Sequence, residues 1–342
     1  MRDGRRELGD GRTAFAGGQG DSSPLRNRAS SRRAVLLLGL ALLTAACGKK
    51  DASSDVPRPV VTTEFDGEAA LKYAAAQVAF GPRIPGTDGH RKAGDWIVAQ
   101  MIQRGAVVLE QTWTHTAKGG RELPLRNIIA RFNPQATERV LYVTHWDTRP
   151  FADQELDPAD QIKPILGAND AASGVGLFVA LADAFQKKAP ALGVDLLLVD
   201  GEDYGEFGPP LVDVLLGSTY FASHLPDPGY KPVFGVLFDM IGDAELSIPQ
   251  EINSVEQAPD VVQRVWSKAA DMGYGATFTS RAGQQITDDH IPLLKAGLKV
   301  IDVIDLDYGP NNSFHHTLQD TMDKISAKSL KIVGDVALAL VR

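Results

Sequence analysis

Three apolar runs of strand length each end in a side chain able to hold a metal, and no other feature of this 342-residue chain constrains its fold as tightly. Leu141-Tyr142-Val143-Thr144 runs into His145-Trp146-Asp147, Leu196-Leu197-Leu198-Val199 into Asp200-Gly201-Glu202-Asp203, and Val236-Leu237-Phe238 into Asp239. Runs this apolar suit strands buried on both faces, as in a parallel sheet covered by helices. In open α/β sheets the carboxyl ends of the strands border the ligand crevice. Three strands ending alike therefore put His145, Glu202, Asp203 and Asp239 on one rim.

The segments around these runs complete the pattern. Helical spacing of apolar residues predicts helices over 68–80, 90–104, 172–186, 211–224 and 259–272, with a closing helix over 324–341. Strand patterns fall at 125–132, 139–144, 194–199, 233–238 and 299–304. Such alternation predicts a single-domain, three-layer α/β sandwich, with a mixed, mostly parallel sheet flanked by helices. Residues 63–342 show no internal repeat and no break in composition, and are enough to bury a large core.

Composition removes other classes. At 44% hydrophobic and 23% charged residues, the chain is neither disordered nor fibrous. One cysteine excludes an internal disulfide and any Cys-rich zinc module. The net charge is −8; residues 1–47 contribute +4, which leaves −12 for residues 48–342. An acidic body of this kind repels phosphate polymers, so nucleic acid is not an expected partner.

The basic N-terminal portion has its own logic. Arg32 and Arg33 precede the apolar run 34–46, which is too short to span a bilayer and closes on small residues. That is the order of an export signal. Cys47 follows at once, and Thr44-Ala45-Ala46-Cys47 resembles a bacterial lipobox, although Leu43 lies four rather than three residues before the cysteine. Ser31-Arg32-Arg33-Ala34-Val35-Leu36 also resembles a twin-arginine signal. Residues 1–47 are thus expected to be an export and lipoprotein signal with an unstructured extension, and 48–62 a tether. Cys47 would carry a lipid anchor at a membrane surface facing the periplasm or exterior.

More ligand-capable groups belong to the rim. Gly167-Ala168-Asn169-Asp170 directly precedes the helix at Ala172, and His315-His316-Thr317 follows the last strand and a loop. Carboxylates packed together repel, and burial adds to the cost. A bound dication removes both problems. Asp, Glu and His without Cys suit zinc in a catalytic setting. Other polar residues receive plainer expectations. Asp147 orients His145, and Asp200 caps its turn. His90, His115 and His224 are solvated, and Trp113, Trp146 and Trp266 belong to the core. Asp302, Asp305 and Asp307 flank a strand and are assigned no role.

The run from Phe80 to the C-terminus resembles the zinc aminopeptidase-like α/β proteins, and within them the glutaminyl cyclases. The segments that carry the resemblance are collinear: Gly81-Pro82-Arg83-Ile84-Pro85-Gly86-Thr87, Asn127-Ile128-Ile129-Ala130, Thr144–Pro150, Gly167–Val175, Asp200–Gly205, Asp288-Asp289-His290-Ile291-Pro292 and His315-His316-Thr317. The resemblance implies two possible chemistries. A cyclase would hold one zinc on Asp170, Asp203 and His316, use Glu202 as acid and base, and line its hydrogen-bond chain with Asp239 and Asp288. Its substrates would be peptide or protein N-termini that begin with Gln, closed to pyroglutamate with release of ammonia. An aminopeptidase would hold two zincs bridged by Asp170, with His145 and Asp239 on one and Asp203 and His316 on the other. Asp288 favours the cyclase, because the peptidases more often have a small residue there. Two positions depart from the animal cyclases: Asp203 stands where Glu is usual, and His315 where Trp is common. His315 is read as a pocket wall.

Overall fold

The computed structural model describes residues 59–342. Its strands are β1 (Val107–Thr116), β2 (Glu122–Phe132), β3 (Arg139–His145), β4 (Gly193–Val199), β5 (Phe234–Asp239), β6 (Ile248–Gln250), β7 (Phe278–Ala282) and β8 (Val300–Ile304). Its α-helices are α1 (Gly67–Val78), α2 (Asp88–Gln103), α3 (Pro158–Gln161), α4 (Ala172–Lys187), α5 (Leu216–Ser223), α6 (Ile252–Gln257), α7 (Pro259–Asp271), α8 (His290–Lys295) and α9 (Ala327–Ala339). The main sheet runs β1-β2-β4-β3-β5-β8. β4, β3, β5 and β8 are parallel, while β1–β2 and β2–β4 are antiparallel. The sandwich is mixed and mostly parallel at its centre, as the sequence implies.

Both faces of that centre are covered. Val140, Tyr142, Leu196, Leu198, Val236 and Phe238 point into a core built with α4, α7 and α9. The intervening Leu141, Val143, Leu197, Val199 and Leu237 pack with Phe221 of α5 and Leu293 of α8. With no face left for water, alternation disappears and the runs read as continuous apolar segments. Register then aligns the strand ends: His145 stands beside Val199, and Asp239 beside Ile304.

Several boundaries differ from the sequence expectation. The helix expected over 211–224 begins only at Leu216, after irregular backbone with Asp213 and Leu215 at positive φ. The closing helix begins at Ala327, capped by the Ser326 hydroxyl on the Ser329 N–H, after a short 3-10 turn at Met322–Lys324. β1 has no counterpart in the sequence reading. It is an edge strand with alternately exposed and half-buried residues, so no apolar run marks it. Within the last residues of the expected tether, Val61 donates its N–H to Met272 O. The expected export signal, the lipobox and Cys47 lie outside the described residues. Among the described residues, no helix is long and apolar enough to cross a membrane.

Candidate active site and metal centre

The site grows from three strand ends and three loops. β3 ends in His145, whose Nε2 lies 2.9 Å from Asp170 Oδ1 and 3.2 Å from Asp239 Oδ1. Asp239 closes β5. Asp170 comes from the loop before α4, and the N–H groups of Asn169 and Asp170 both donate to the buried Asp320 carboxyl. The turn after β4 carries Glu202 and Asp203, whose N–H groups donate to the two oxygens of Asp147. Asp147 Oδ1 also lies 3.6 Å from His145 Nδ1, so this carboxylate ties the β3 end to the acidic turn.

His316 draws in the remaining expected ligands. Its Nε2 lies 3.4 Å from Asp203 Oδ1 and 3.8 Å from Asp170 Oδ2. Its Nδ1 lies 3.4 Å from Asp153. His316 adopts φ 54°, a left-handed conformation rare outside glycine and concentrated at functional sites. Arg149 fixes both acidic neighbours of this ring, donating to Asp203 Oδ1 at 2.8 Å and to Asp153 Oδ1 at 2.6 Å. His316 therefore lies within 4 Å of both Asp170 and Asp203. His145, Asp170 and Asp239 form one group with ligand atoms within 4.8 Å of one another, and Asp170, His315 and His316 another; Asp203 is in neither.

A divalent cation fits these residues. The donors are carboxylates and imidazoles, which suit zinc. Asp203 Oδ2 is buried without a hydrogen-bond partner, as is His145 Nδ1. A buried carboxylate oxygen with no donor is costly, and a cation satisfies it.

The cavity in front of these groups measures about 770 Å³, and Asp170, Glu202, Asp239, Asp288, His315 and His316 reach its wall. His315 lines the cavity as read from the sequence, but its ring also falls within the candidate ligand group with Asp170 and His316. Burial lifts Glu202 well above the usual carboxyl range; His145 opposes this, while Asp288 and Asp203 add to it. Burial and then the charge of Asp239 push Asp288 up to about 7. Burial raises Asp239 as well. Burial opposes a charged His316 ring, but Asp203 and Asp153 outweigh it and push the ring up to about 10. Asp288 can therefore carry or release a proton near neutrality, and burial raises Glu202 and Asp239 in the direction that a general acid and base needs.

Sequence reasoning misread three residues and missed two. His90 is not solvated: it is buried, stacks on Trp146 at 4.3 Å, and its Nε2 lies 2.9 Å from Asp200 Oδ1. Asp200 does more than cap a turn, since it also accepts the Arg126 N–H at 2.7 Å. His115 is half-buried and paired with Asp213 at 2.7 Å, whereas His224 is exposed as expected. Arg149 and Asp153 were missed. Their spacing of four residues next to the His145 segment was the available signal, but it lies in a loop where helical spacing carries no weight.

Residues 127–341 match the model of peptidase family M28. The glutaminyl-peptide cyclotransferase of Bos taurus is 25% identical over 285 residues, covering 72% of this chain and 74% of that protein. Among solved structures, the glutaminyl cyclase of Bacteroides thetaiotaomicron bound to N-acetylhistamine superposes with a TM-score of 0.78 at 38% identity, covering 82% of this chain and 99% of that one. A Zn-dependent exopeptidase from Parabacteroides distasonis superposes with a TM-score of 0.78 at 35% identity, covering 82% and 100%.

Proposed function

The chain belongs to peptidase family M28, and from that premise we propose that it is a glutaminyl-peptide cyclotransferase, closing the N-terminal Gln of peptides or proteins to pyroglutamate with release of ammonia. The observation that carries this reading is the grouping of Glu202, Asp239 and Asp288 on one cavity wall, three buried carboxyls at the end of a parallel sheet. Intramolecular attack needs proton handling and a fixed substrate fold more than an activated water.

The roles follow from the residues. Asp170, Asp203 and His316 would hold one zinc, which would supply a Lewis acid for the γ-carbonyl of the substrate glutamine. Glu202 removes a proton from the α-amine as it attacks that carbon, and returns the proton to the leaving nitrogen. The balance closes without a co-reactant: one C–N bond forms, one breaks, and ammonia leaves. Asp239 and Asp288 accept hydrogen bonds from the departing nitrogen and offset its transient charge. Asp147 holds the Glu202–Asp203 turn through both N–H groups, and Arg149 holds the Asp203 carboxylate.

A second reading rests on His145, Asp170 and Asp239. Their spacing supports a second metal and hence a zinc aminopeptidase. One incubation separates the two. A Gln-initiated peptide that loses the mass of one ammonia has been cyclised, and one that loses its first residue has been hydrolysed.

The segments outside the described residues support a further proposal: export, with a lipid anchor at Cys47, a tether over 48–62 and the catalytic domain from residue 63. Cys47→Ala should move the protein from the membrane fraction to the soluble fraction. An unchanged distribution would remove the anchor.

A further inference from the structure

A second group of ionisable side chains lies beyond Asp288 and takes no part in the roles above. Asp288 reaches the cavity, His290 begins α8 two residues later, Asp302 sits at the centre of β8, and Glu251 caps α6. Ligand atoms of Asp288, His290 and Asp302 lie within 4.8 Å of one another. The three residues are 4%, 0% and 0% exposed, so water does not screen them. Asp288 Oδ2, both Asp302 oxygens and both His290 nitrogens are buried without a hydrogen-bond partner. Among the described residues no Lys or Arg pairs with any of them.

The imidazole is set as a metal ligand would be. Its Nδ1 lies 3.7 Å from Asp302 Oδ2, while its Nε2 lies 3.4 Å from Glu251 Oε2. Tetrahedral zinc with bonds of about 2.1 Å places neighbouring ligand atoms about 3.4 Å apart. A ligating histidine nearly always offers its other ring nitrogen to a carboxylate or carbonyl, which fixes the ring. Glu251 is a firm brace for that purpose, because it also accepts the N–H groups of Asn253, Ser254 and Ile286. Burial works against an ionised Glu251, but His290 and these donors hold it down to about 2.

We propose that Asp288, His290 and Asp302 form a divalent-cation site separate from the Asp170–His316 centre, with His290 Nδ1 and one oxygen of each aspartate as ligands and Glu251 bracing the ring. Zinc suits a donor set of one imidazole and two carboxylates. An ion there neutralises the buried acids and holds the Asp288 carboxylate at the cavity edge. The site requires only the side chains named, so it stands whether the cavity cyclises or hydrolyses its substrate.

The test uses the full chain, stripped with a chelator and reloaded with zinc chloride. Crystals measured at the zinc absorption edge should show an anomalous peak about 2.1 Å from His290 Nδ1. His290→Gln and Asp302→Asn should each bind one zinc fewer than the parent. Glu251→Gln should keep the ion but weaken it about 10- to 100-fold. A loaded Asp170 centre with no peak between His290 and Asp302 overturns the proposal without reliance on any variant. Equal zinc content in the parent and both folded ligand variants overturns it as well, and leaves shared protons as the means by which Asp288 and Asp302 tolerate each other.

Discussion

Glu202 owes its position to its neighbours on the turn. Gly201 takes φ 69°, which lets the chain reverse after β4, and Asp147 receives the N–H groups of the next two residues. Glu202→Gln keeps the shape and removes the proton acceptor. We expect ammonia release from a Gln-initiated peptide to fall about 100- to 10,000-fold, with the folded state intact by circular dichroism. Retained activity would move proton transfer to another group. Asp305 shows the same burial away from the chemistry. Burial pushes its carboxyl up to about 7, with the Ser247 N–H working against this and Asp243 adding to it. An acid raised in the folded state costs nothing below its unfolded pKa of about 4, where both states are protonated. Its cost grows as pH rises to about 7 and is complete above that. Asp305→Asn should therefore raise the melting temperature at pH 8 and leave it nearly unchanged at pH 4, by scanning calorimetry. The rim residues were legible because strand ends betray themselves in sequence. The His90–Asp200 pair was not, because His90 lies on a helix and meets Asp200 only after α2 has packed against β2.

The elements are held at distances that only glycine permits. A Cβ on Gly174 in α4 would come within 1.9 Å of Thr144 Oγ1, next to His145 on β3. A Cβ on Gly176 would stand 2.4 Å from Ala70 O in α1. α4 thus presses its N-terminal turns into both the sheet and α1, and that contact fixes the Asp170 loop relative to His145. Gly174→Ala and Gly176→Ala should each cost about 1–3 kcal/mol by overpacking. Gly174→Ala should also weaken zinc binding, because it shifts α4 against β3. A Cβ on Gly208 would meet nothing within 4 Å, so Gly208→Ala serves as the neutral control. Equal melting temperatures for all three variants would mean that α4 is not tightly seated. The helix α4 was legible from its apolar spacing. Its crowding was not, since the partners of Gly174 and Gly176 lie in β3 and α1, far away in sequence. β1 stayed hidden for a related reason, as an edge strand needs no apolar face on its outer side.

At the scale of the whole molecule, three parallel strands deliver acidic side chains to one edge, and the fold must tolerate them. Glu202, Asp239 and Asp288 are each raised by burial, so their ionised forms oppose folding when no cation is bound. The sign follows from linkage. Asp288 is protonated in the folded state at pH 5, so less repulsion remains there for a cation to offset. As pH rises from the unfolded carboxyl value of about 4 to about 7 for Asp288, the metal-free folded state loses stability, and the loss is complete above that. Zinc removes that penalty and binds the folded state alone, which adds about 2.7 kcal/mol at one hundred times its dissociation constant. Protons also compete for the ligands at low pH, which narrows the difference further. Chelation should therefore lower the melting temperature markedly at pH 8 and only slightly at pH 5. Scanning calorimetry of the loaded and stripped protein at both values reads the effect. A gap that is equal at the two pH values would mean that the acidic edge does not depend on a cation for its charge balance.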